Sequence, residues 1–310
     1  MDRKTFIRRL GAAGLGVTLA GSTPLLSYAG RGNRLLTILH TNDTHARIEP
    51  FPLNSPRYGG LGGIARRASL VKTIRAENPN TLLLDAGDVF QGTPYFNFYK
   101  GTLDFQLMSQ MGYDAMALGN HEFDNAVSGF LDVAGEAKFP FVCANYNFGN
   151  TGMADLVQDY IIKDVDGIRI GIFGLGVSFQ GLVAPTMHEG VTYIDPIRIG
   201  QFQADRLRVL YNCDYVICLS HLGYNYQDAD RVSDRMIAQK VTGIDLIIGG
   251  HTHTFLDAPE RVQKADGSVT VISQVGFAGI MLGRIDVEFD RRKQVIRAFA
   301  ANHMVTSDRA

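Results

Sequence analysis

The chain is read outward from Leu82-Leu83-Leu84-Asp85-Ala86-Gly87-Asp88-Val89-Phe90-Gln91-Gly92. An apolar run that stops at a carboxylate and a glycine is the pattern of a buried strand delivering Asp88 to its C-terminal rim. Four other segments end the same way. Asp43-Thr44-His45 follows the apolar residues 35–39, and Gly119-Asn120-His121-Glu122-Phe123-Asp124 follows residues 115–118. His221 follows residues 215–220, and Gly250-His251-Thr252-His253 follows residues 246–248. Ligands of open α/β sheets bind outside the carboxyl ends of the strands. Five strand ends carrying Asp, Asn and His therefore describe one site, with Asp88 as the ligand shared by its two halves.

Composition sets the outer bounds. The 310 residues are 45% hydrophobic and 20% charged, ordinary for a soluble globular protein and enough for one large core. A net charge of -1 leaves no basic footprint for nucleic acid. Arg3, Lys4, Arg8 and Arg9 precede an apolar stretch from Leu10 to Leu26, and Ser27-Tyr28-Ala29 supplies a small-residue cleavage point. That order predicts a signal peptide over residues 1–29 and a periplasmic or extracellular mature protein, with no stable membrane insertion. Asp2-Arg3-Lys4-Thr5-Phe6-Ile7-Arg8 resembles a twin-arginine export motif with Lys in place of the second Arg. Three cysteines, Cys143, Cys213 and Cys218, lie in or beside apolar runs and read as free core residues.

Between the strand ends the pattern alternates. Helices are expected over residues 64–77, 103–111, 126–137, 197–210 and 230–241, with strands at 35–40, 81–85, 115–118, 140–144, 215–220 and 245–248. Residues 161–165 and 168–173 flank Asp166-Gly167, the favoured two-residue hairpin turn. After that come three strand-like runs, 269–274, 282–290 and 295–300, without helices between them. Alternation followed by successive strands predicts a parallel sheet giving way to antiparallel pairing, with two packed sheets flanked by helices in a single domain, residues 30–310.

The rim residues suit a pair of metal ions. Asp43 and His45 stand two apart, and in an extended segment such residues point to one side. Asp88 can bridge, because a carboxylate has lone pairs on both oxygens. Asn120 offers a carbonyl oxygen, His221 and His251 offer imidazole nitrogens, and His253 can turn back toward the first ion. The partition that follows places Asp43, His45, Asp88 and His253 on one metal and Asp88, Asn120, His221 and His251 on the other. Oxygen and imidazole donors suit Zn, Mn, Fe, Co or Ni and disfavour a thiolate site. Two divalent ions, less Asp43, Asp88 and a bridging hydroxide, leave about one positive charge to face a phosphate dianion. Ions held roughly 3.5–4 Å apart generate such a hydroxide at neutral pH and clamp the reacting oxygens. Hydrolysis of phosphorus esters is the expected chemistry.

His121 is expected to hydrogen-bond the phosphoryl oxygens or protonate the leaving alkoxide, and Asp124 to orient it. Asn120 and His121 are thus the candidates to face the substrate phosphate. Other residues carry blander expectations. Asp85 reads as a turn or supporting carboxylate, His40 as a satisfied structural histidine, and His188 and His303 carry no spacing signal. Five of the eight histidines fall in the strand-end motifs, which is too ordered for accident.

Taken together, Asp43-Thr44-His45, Gly87-Asp88-Val89-Phe90-Gln91-Gly92, Gly119-Asn120-His121-Glu122-Phe123-Asp124, His221 and Gly250-His251-Thr252-His253 resemble the calcineurin-like metallophosphoesterases. Leu39-His40-Thr41-Asn42-Asp43 with Asn120-His121-Glu122-Phe123-Asp124 is similar, more narrowly, to the bacterial 5′-nucleotidase branch. The resemblance implies an α/β (α+β) fold in a four-layer αββα sandwich, two divalent ions on the ligands named above, and a His121–Asp124 catalytic pair. It implies nucleoside monophosphates or related phosphate esters as substrates. Members of full length carry a C-terminal domain whose aromatic residues hold the nucleobase. Only residues 254–310 follow His253, too few for a domain of about 100 residues. The expectation is that a separate chain supplies the nucleotide-binding wall, or that the site is open to small esters. Alternatives within the family are a 2′,3′-cyclic-nucleotide phosphodiesterase, a nucleotide-sugar hydrolase or a sulfur-oxidation thiosulfohydrolase. A non-catalytic binding subunit is the alternative outside enzymes, and the intact ligand set argues against it.

Overall fold

In the computed structural model, residues 32–264 and 267–307 are described. The expected signal peptide, residues 1–29, lies outside them. In chain order the first half runs β1 (Arg34–Thr41), α1 (Ile64–Glu77), β2 (Thr81–Asp85), α2 (Pro94–Tyr99), α3 (Thr102–Met111), β3 (Ala115–Ala117), a 3-10 turn at His121–Phe123, α4 (Ala126–Ala134), β4 (Phe141–Val142), β5 (Tyr146–Asn147) and β6 (Val157–Gln158). Then come β7 (Tyr160–Val165), β8 (Ile168–Gly176), β9 (Thr192–Tyr193), α5 (Pro196–Asp205) with a π-helical turn at Arg206–Leu210, β10 (Tyr215–His221), α6 (Asp234–Lys240) and β11 (Leu246–Gly249). The chain ends in β12 (Glu260–Gln263), β13 (Val269–Ser273), β14 (Met281–Phe289) and β15 (Val295–Met304).

Adjacent residues of one strand face opposite sides of a sheet, and here both sides are apolar. Leu82 and Leu84 join Ile172, Ile217, Leu219 and Ile248 in a core between two sheets. Leu83, between them, packs instead with Val71 of α1, Phe105 of α3 and Phe130 of α4. In the other sheet Val216 and Cys218 pack against Ala204 of α5 and Ile237 of α6. Both sheets are therefore covered by helices on their outer faces, giving the four-layer αββα sandwich. Continuous runs such as Leu82-Leu83-Leu84 are what burial on two faces requires.

The first sheet has the order β15-β14-β1-β2-β3-β4-β6, and the second β12-β13-β11-β10-β8-β7. β1, β2, β3 and β4 are parallel, as are β8, β10, β11 and β13, so their carboxyl ends lie along one rim. The late strands divide differently from expectation. β13 joins the second sheet parallel to β11, while β14 and β15 extend the first sheet antiparallel. The Asp166-Gly167 hairpin forms as read, with φ of 51° and 74° at its turn.

Helix ends moved where side chains made better offers. The expected helix over 230–241 begins at Asp234, because Ser233 caps it through Oγ to the Met236 N–H at 3.3 Å. Upstream, Asp228 accepts from the Asp230 N–H and holds a turn. The helix expected to reach residue 137 stops at Ala134. The α2 helix, with Pro94 at its first turn, was not foreseen. Cys143, Cys213 and Cys218 are free and buried. No described helix is long and apolar enough to cross a membrane.

Candidate active site

At the rim the backbone itself is unusual. Asp43, His45, Asp88, His251 and His253 all have positive φ, between 50° and 70°. The extended geometry expected for Asp43-x-His45 is therefore wrong, although both side chains reach the same place. Such conformations cost of order 1–3 kcal/mol each and persist when surroundings fix them. Here they are fixed. Asp43 N–H donates to Gly87 O at 2.9 Å, His45 N–H to Asp88 O at 3.1 Å and Ala46 N–H to Val89 O at 2.7 Å. The loops after β1 and β2 are thereby laced together. Glycines allow the approach: a Cβ on Gly119 would sit 2.2 Å from Asp88 Oδ1, and one on Gly250 2.9 Å from His221 Nδ1.

Two groups of donors result. The ligand atoms of Asp43, His45 and His253 lie within 4.8 Å of one another, and so do those of Asp88, His221 and His251. Asp43 Oδ1 lies 4.0 Å from Nε2 of both His45 and His221, and 3.4 Å from that of His253. Asp88 Oδ2 lies 3.0 Å from His221 Nε2, while its Oδ1 accepts from the His121 N–H at 2.8 Å. Asn120 sits in the same turn, and its buried Oδ1 has no hydrogen-bond partner.

The imidazoles are held with Nε2 turned inward. His221 Nδ1 donates to Ala86 O at 2.7 Å, and His45 Nδ1 to Phe90 O at 3.1 Å, which turns each Nε2 toward the rim. The Nε2 atoms of His45 and His253 then stand 2.9 Å apart. Two lone pairs at that distance repel unless a proton or a cation lies with them. Burial disfavours a proton on His221, but Asp88 Oδ2, 3.0 Å from its Nε2, and Asp43 outweigh this and raise its pKa to about 10, so in the metal-free chain a proton stands where a cation would. Inward-facing groups, all oxygen or imidazole, are the donor set a divalent cation fits. Asp43, His45 and His253 thus gather in one group and Asp88, His221 and His251 in another, while Asp88 belongs to the second group alone and Asn120 lies in the neighbouring turn.

Charge follows the same logic. Burial opposes ionisation of Asp88, yet His221, His121 and His45 hold its pKa well below the usual range. Burial lowers the pKa of His45, and burial with neighbouring His221 lowers that of His251 to about 4, so both stay neutral and able to ligate. Arg231 acts on His251 in the same direction. Burial also disfavours a proton on His121, but its 2.8 Å bond to Asp124 Oδ2 and the charge of Asp88 outweigh this and raise its pKa to about 9. His121 is a third exposed and its ring lies 5.2 Å from that of His45.

Of the blander residues, Asp85 accepts from Thr41 Oγ1 at 2.5 Å and the Gly87 N–H at 2.8 Å, a turn role. His40 is fully buried with Nε2 against Ser273 Oγ at 2.9 Å, but its Nδ1 has no partner.

Sequence reasoning passed over Glu122. Its buried carboxylate accepts from the backbone N–H groups of Asp88 (3.0 Å), Val89 (2.8 Å), Phe90 (3.3 Å) and Gly119 (2.6 Å). It ties the loop after β2 to the turn after β3 and so aims Asp88. The available signal was its spacing, three residues after Gly119, the return half of a capping box. Asn42 was also missed. Its Nδ2 donates to Asp43 Oδ2 and to Gly276 O, each at 2.6 Å.

Comparison with known proteins agrees with this geometry. The family model for calcineurin-like phosphoesterases matches residues 36–255. The chain is 37% identical over 290 residues to the snake venom 5′-nucleotidase of Naja atra, covering 86% of this chain and 53% of that one. It is 37% identical over 282 residues to the 5′-nucleotidase of Homo sapiens, covering 84% and 48%. The crystal structure of a 5′-nucleotidase precursor from Thermus thermophilus superposes with a TM-score of 0.80 at 33% identity, covering 89% of this chain and 56% of that one. The chain spans about half the length of the relatives it matches. By the match across most of its length and these relatives, the chain belongs to the calcineurin-like phosphoesterase family.

Proposed function

We propose that this chain is a metal-dependent phosphoric ester hydrolase of the 5′-nucleotidase type, acting on nucleoside monophosphates. The single observation that carries the reading is the pair of donor clusters at one rim with the His121–Asp124 pair beside them. Asp43, His45 and His253 would hold one divalent ion, and Asp88, His221, His251 and Asn120 the other. Ions held there supply Lewis-acid charge at the phosphoryl oxygens and lower the pKa of water at the site.

The remaining work falls to the protein. His121, kept protonated by Asp124, donates from Nε2 to the oxygen that leaves phosphorus, so the alcohol departs neutral as the P–O bond breaks and water adds. The Asn120 amide faces the phosphoryl group from the same turn. Glu122 keeps the backbone of Asp88 and Gly119 from relaxing, which fixes the acceptor positions before substrate arrives. Export to the periplasm or beyond rests on residues 1–29, and amino-terminal sequencing of the mature protein tests it.

The experiment is a substrate panel on the purified chain loaded with Mn or Zn: nucleoside monophosphates, cyclic nucleotides and an aryl phosphate. Release of phosphate from the monophosphates, abolished by a chelator and restored by metal, is expected. A metal-loaded chain inert to every ester would overturn the reading in favour of a binding role.

A further inference from the structure

The histidine loop after β11 turns through two left-handed residues, His251 at φ 70° and His253 at φ 51°. A backbone so strained persists only where its surroundings hold it. Its two imidazoles go to different donor groups, His251 with Asp88 and His221, and His253 with Asp43 and His45. The course of the chain between them therefore sets how far apart the two groups stand.

A single side chain brackets that stretch. Gln274, fully buried, is the first residue after β13, the strand parallel to β11. Its Nε2 donates to Gly250 O at 2.6 Å, and its Oε1 accepts from the Thr254 N–H at 2.5 Å. Gly250 precedes His251, and Thr254 follows His253. In the middle of the loop Thr252 Oγ1 donates to the same Oε1 at 3.1 Å. These partners fix which way the amide points, since a carbonyl can only accept and an N–H can only donate.

The residues after Gln274 extend the hold. The Phe277 ring stacks on the His253 imidazole, 11° between planes and 5.1 Å between centroids. The Val275 N–H donates to Asn42 Oδ1 at 3.0 Å, and the Ala278 N–H to Asp43 O at 2.7 Å. Residues 274–278 carry no imidazole, carboxylate or thiolate, yet they touch the loops of Asp43 and of both histidines.

We propose that Gln274 is a positioning residue that sets the spacing of the two cation sites. Being fully buried, it acts through His251 and His253 and not on substrate. The proposal rests on the two-cation reading above and names what holds the two groups of ligands in register. A methionine in its place would fill a similar volume but leave the Thr254 N–H without its acceptor and Gly250 O with the Thr252 N–H alone.

The test titrates the metal-free chain with Mn by calorimetry and records the electron paramagnetic resonance of the loaded protein, which separates a coupled pair of Mn ions from isolated ones. The wild type is expected to take up about two Mn per chain as a coupled pair. Gln274→Met is expected to bind the weaker Mn about 10–100-fold less tightly and to show isolated ions. Gln274→Asn, one methylene too short to bridge Gly250 and Thr254, is expected to do the same and is the variant read if Gln274→Met does not fold. Ile272→Ala, in the core of the same strand, is expected to lower the urea midpoint and keep both metal readouts. Wild-type affinity and a coupled pair in the Gln274 variants would overturn the proposal and leave the cation sites standing. Equal loss in Ile272→Ala would overturn it too, by making the effect one of general stability. A wild type that binds no Mn pair sinks the two-cation reading and the proposal with it.

Discussion

His121 Nδ1 lies 2.8 Å from Asp124 Oδ2, three residues on, while the backbone N–H of His121 is committed to Asp88 Oδ1 at the same distance. The imidazole is thus positioned by one carboxylate through its ring and by another through its main chain. Activity that needs a protonated His121 is present below its pKa and lost as pH rises through it. That pKa is raised to about 9 in the metal-free chain, and bound cations oppose the shift. Replacing Asp124 by Asn lowers it further. We expect Asp124→Asn to move the alkaline limb of the kcat profile to lower pH and to cut kcat by about 10–100-fold, with metal content retained. A limb that stays in place would remove Asp124 from this role.

Glu122 makes a separable prediction. Its two oxygens serve four backbone donors in a fully buried setting. Glu122→Gln turns an amide donor toward those N–H groups and should cost about 2–4 kcal/mol of stability, read from urea unfolding of the apo protein. It should also weaken metal binding, because Asp88 loses its backbone support. A variant within about 0.5 kcal/mol of wild type would show that the loop holds itself.

The contrast between Asp88 and Glu122 shows what the sequence made legible. Leu82-Leu83-Leu84 ending at Gly87-Asp88 announces a strand buried on two faces and a ligand at its rim, since both follow from local order. The same holds for Gly250-His251-Thr252-His253. Three of the four Glu122 partners lie more than thirty positions away, so only its bond to Gly119 can be read from its neighbours. The left-handed backbone at Asp43 and His45 was likewise hidden, being imposed by the loop after β2 and not by any residue in the segment. Ser233 took the helix start from Asp230 because one good cap outweighs a few residues of favourable spacing. The split of β13 from β14 and β15 depends on sheet partners that no spacing encodes.

Gly119 tests the close approach directly. A methyl group there would stand 2.2 Å from Asp88 Oδ1 and 2.7 Å from its backbone nitrogen. Gly119→Ala should cost about 1–3 kcal/mol and displace the Asp88 carboxylate, so metal affinity falls more than the loss of stability alone accounts for. Isothermal titration with Mn on the folded variant checks this. Unchanged affinity would mean that Asp88 does not need its present position.

His40 predicts a pH dependence of stability. Burial lowers its pKa from 6.5 to about 3, so the unfolded chain takes up a proton that the folded chain refuses. This contribution is intact above pH 6.5 and is lost as pH falls toward 3. His40→Gln, which can keep the bond to Ser273, should lose less stability between pH 7 and pH 5 than wild type does, measured by urea midpoints. Equal losses would place the acid sensitivity elsewhere.

Metal stoichiometry reaches furthest into the account, because every role assigned at the rim assumes two cations with Asp88 between them. Elemental analysis of the purified chain, run beside nucleotide hydrolysis, should find about two divalent ions per chain in the wild type. In Asp88→Ala it should find about one or none, with hydrolysis abolished. A wild type holding a single ion, or an Asp88→Ala chain that hydrolyses normally, would contradict it.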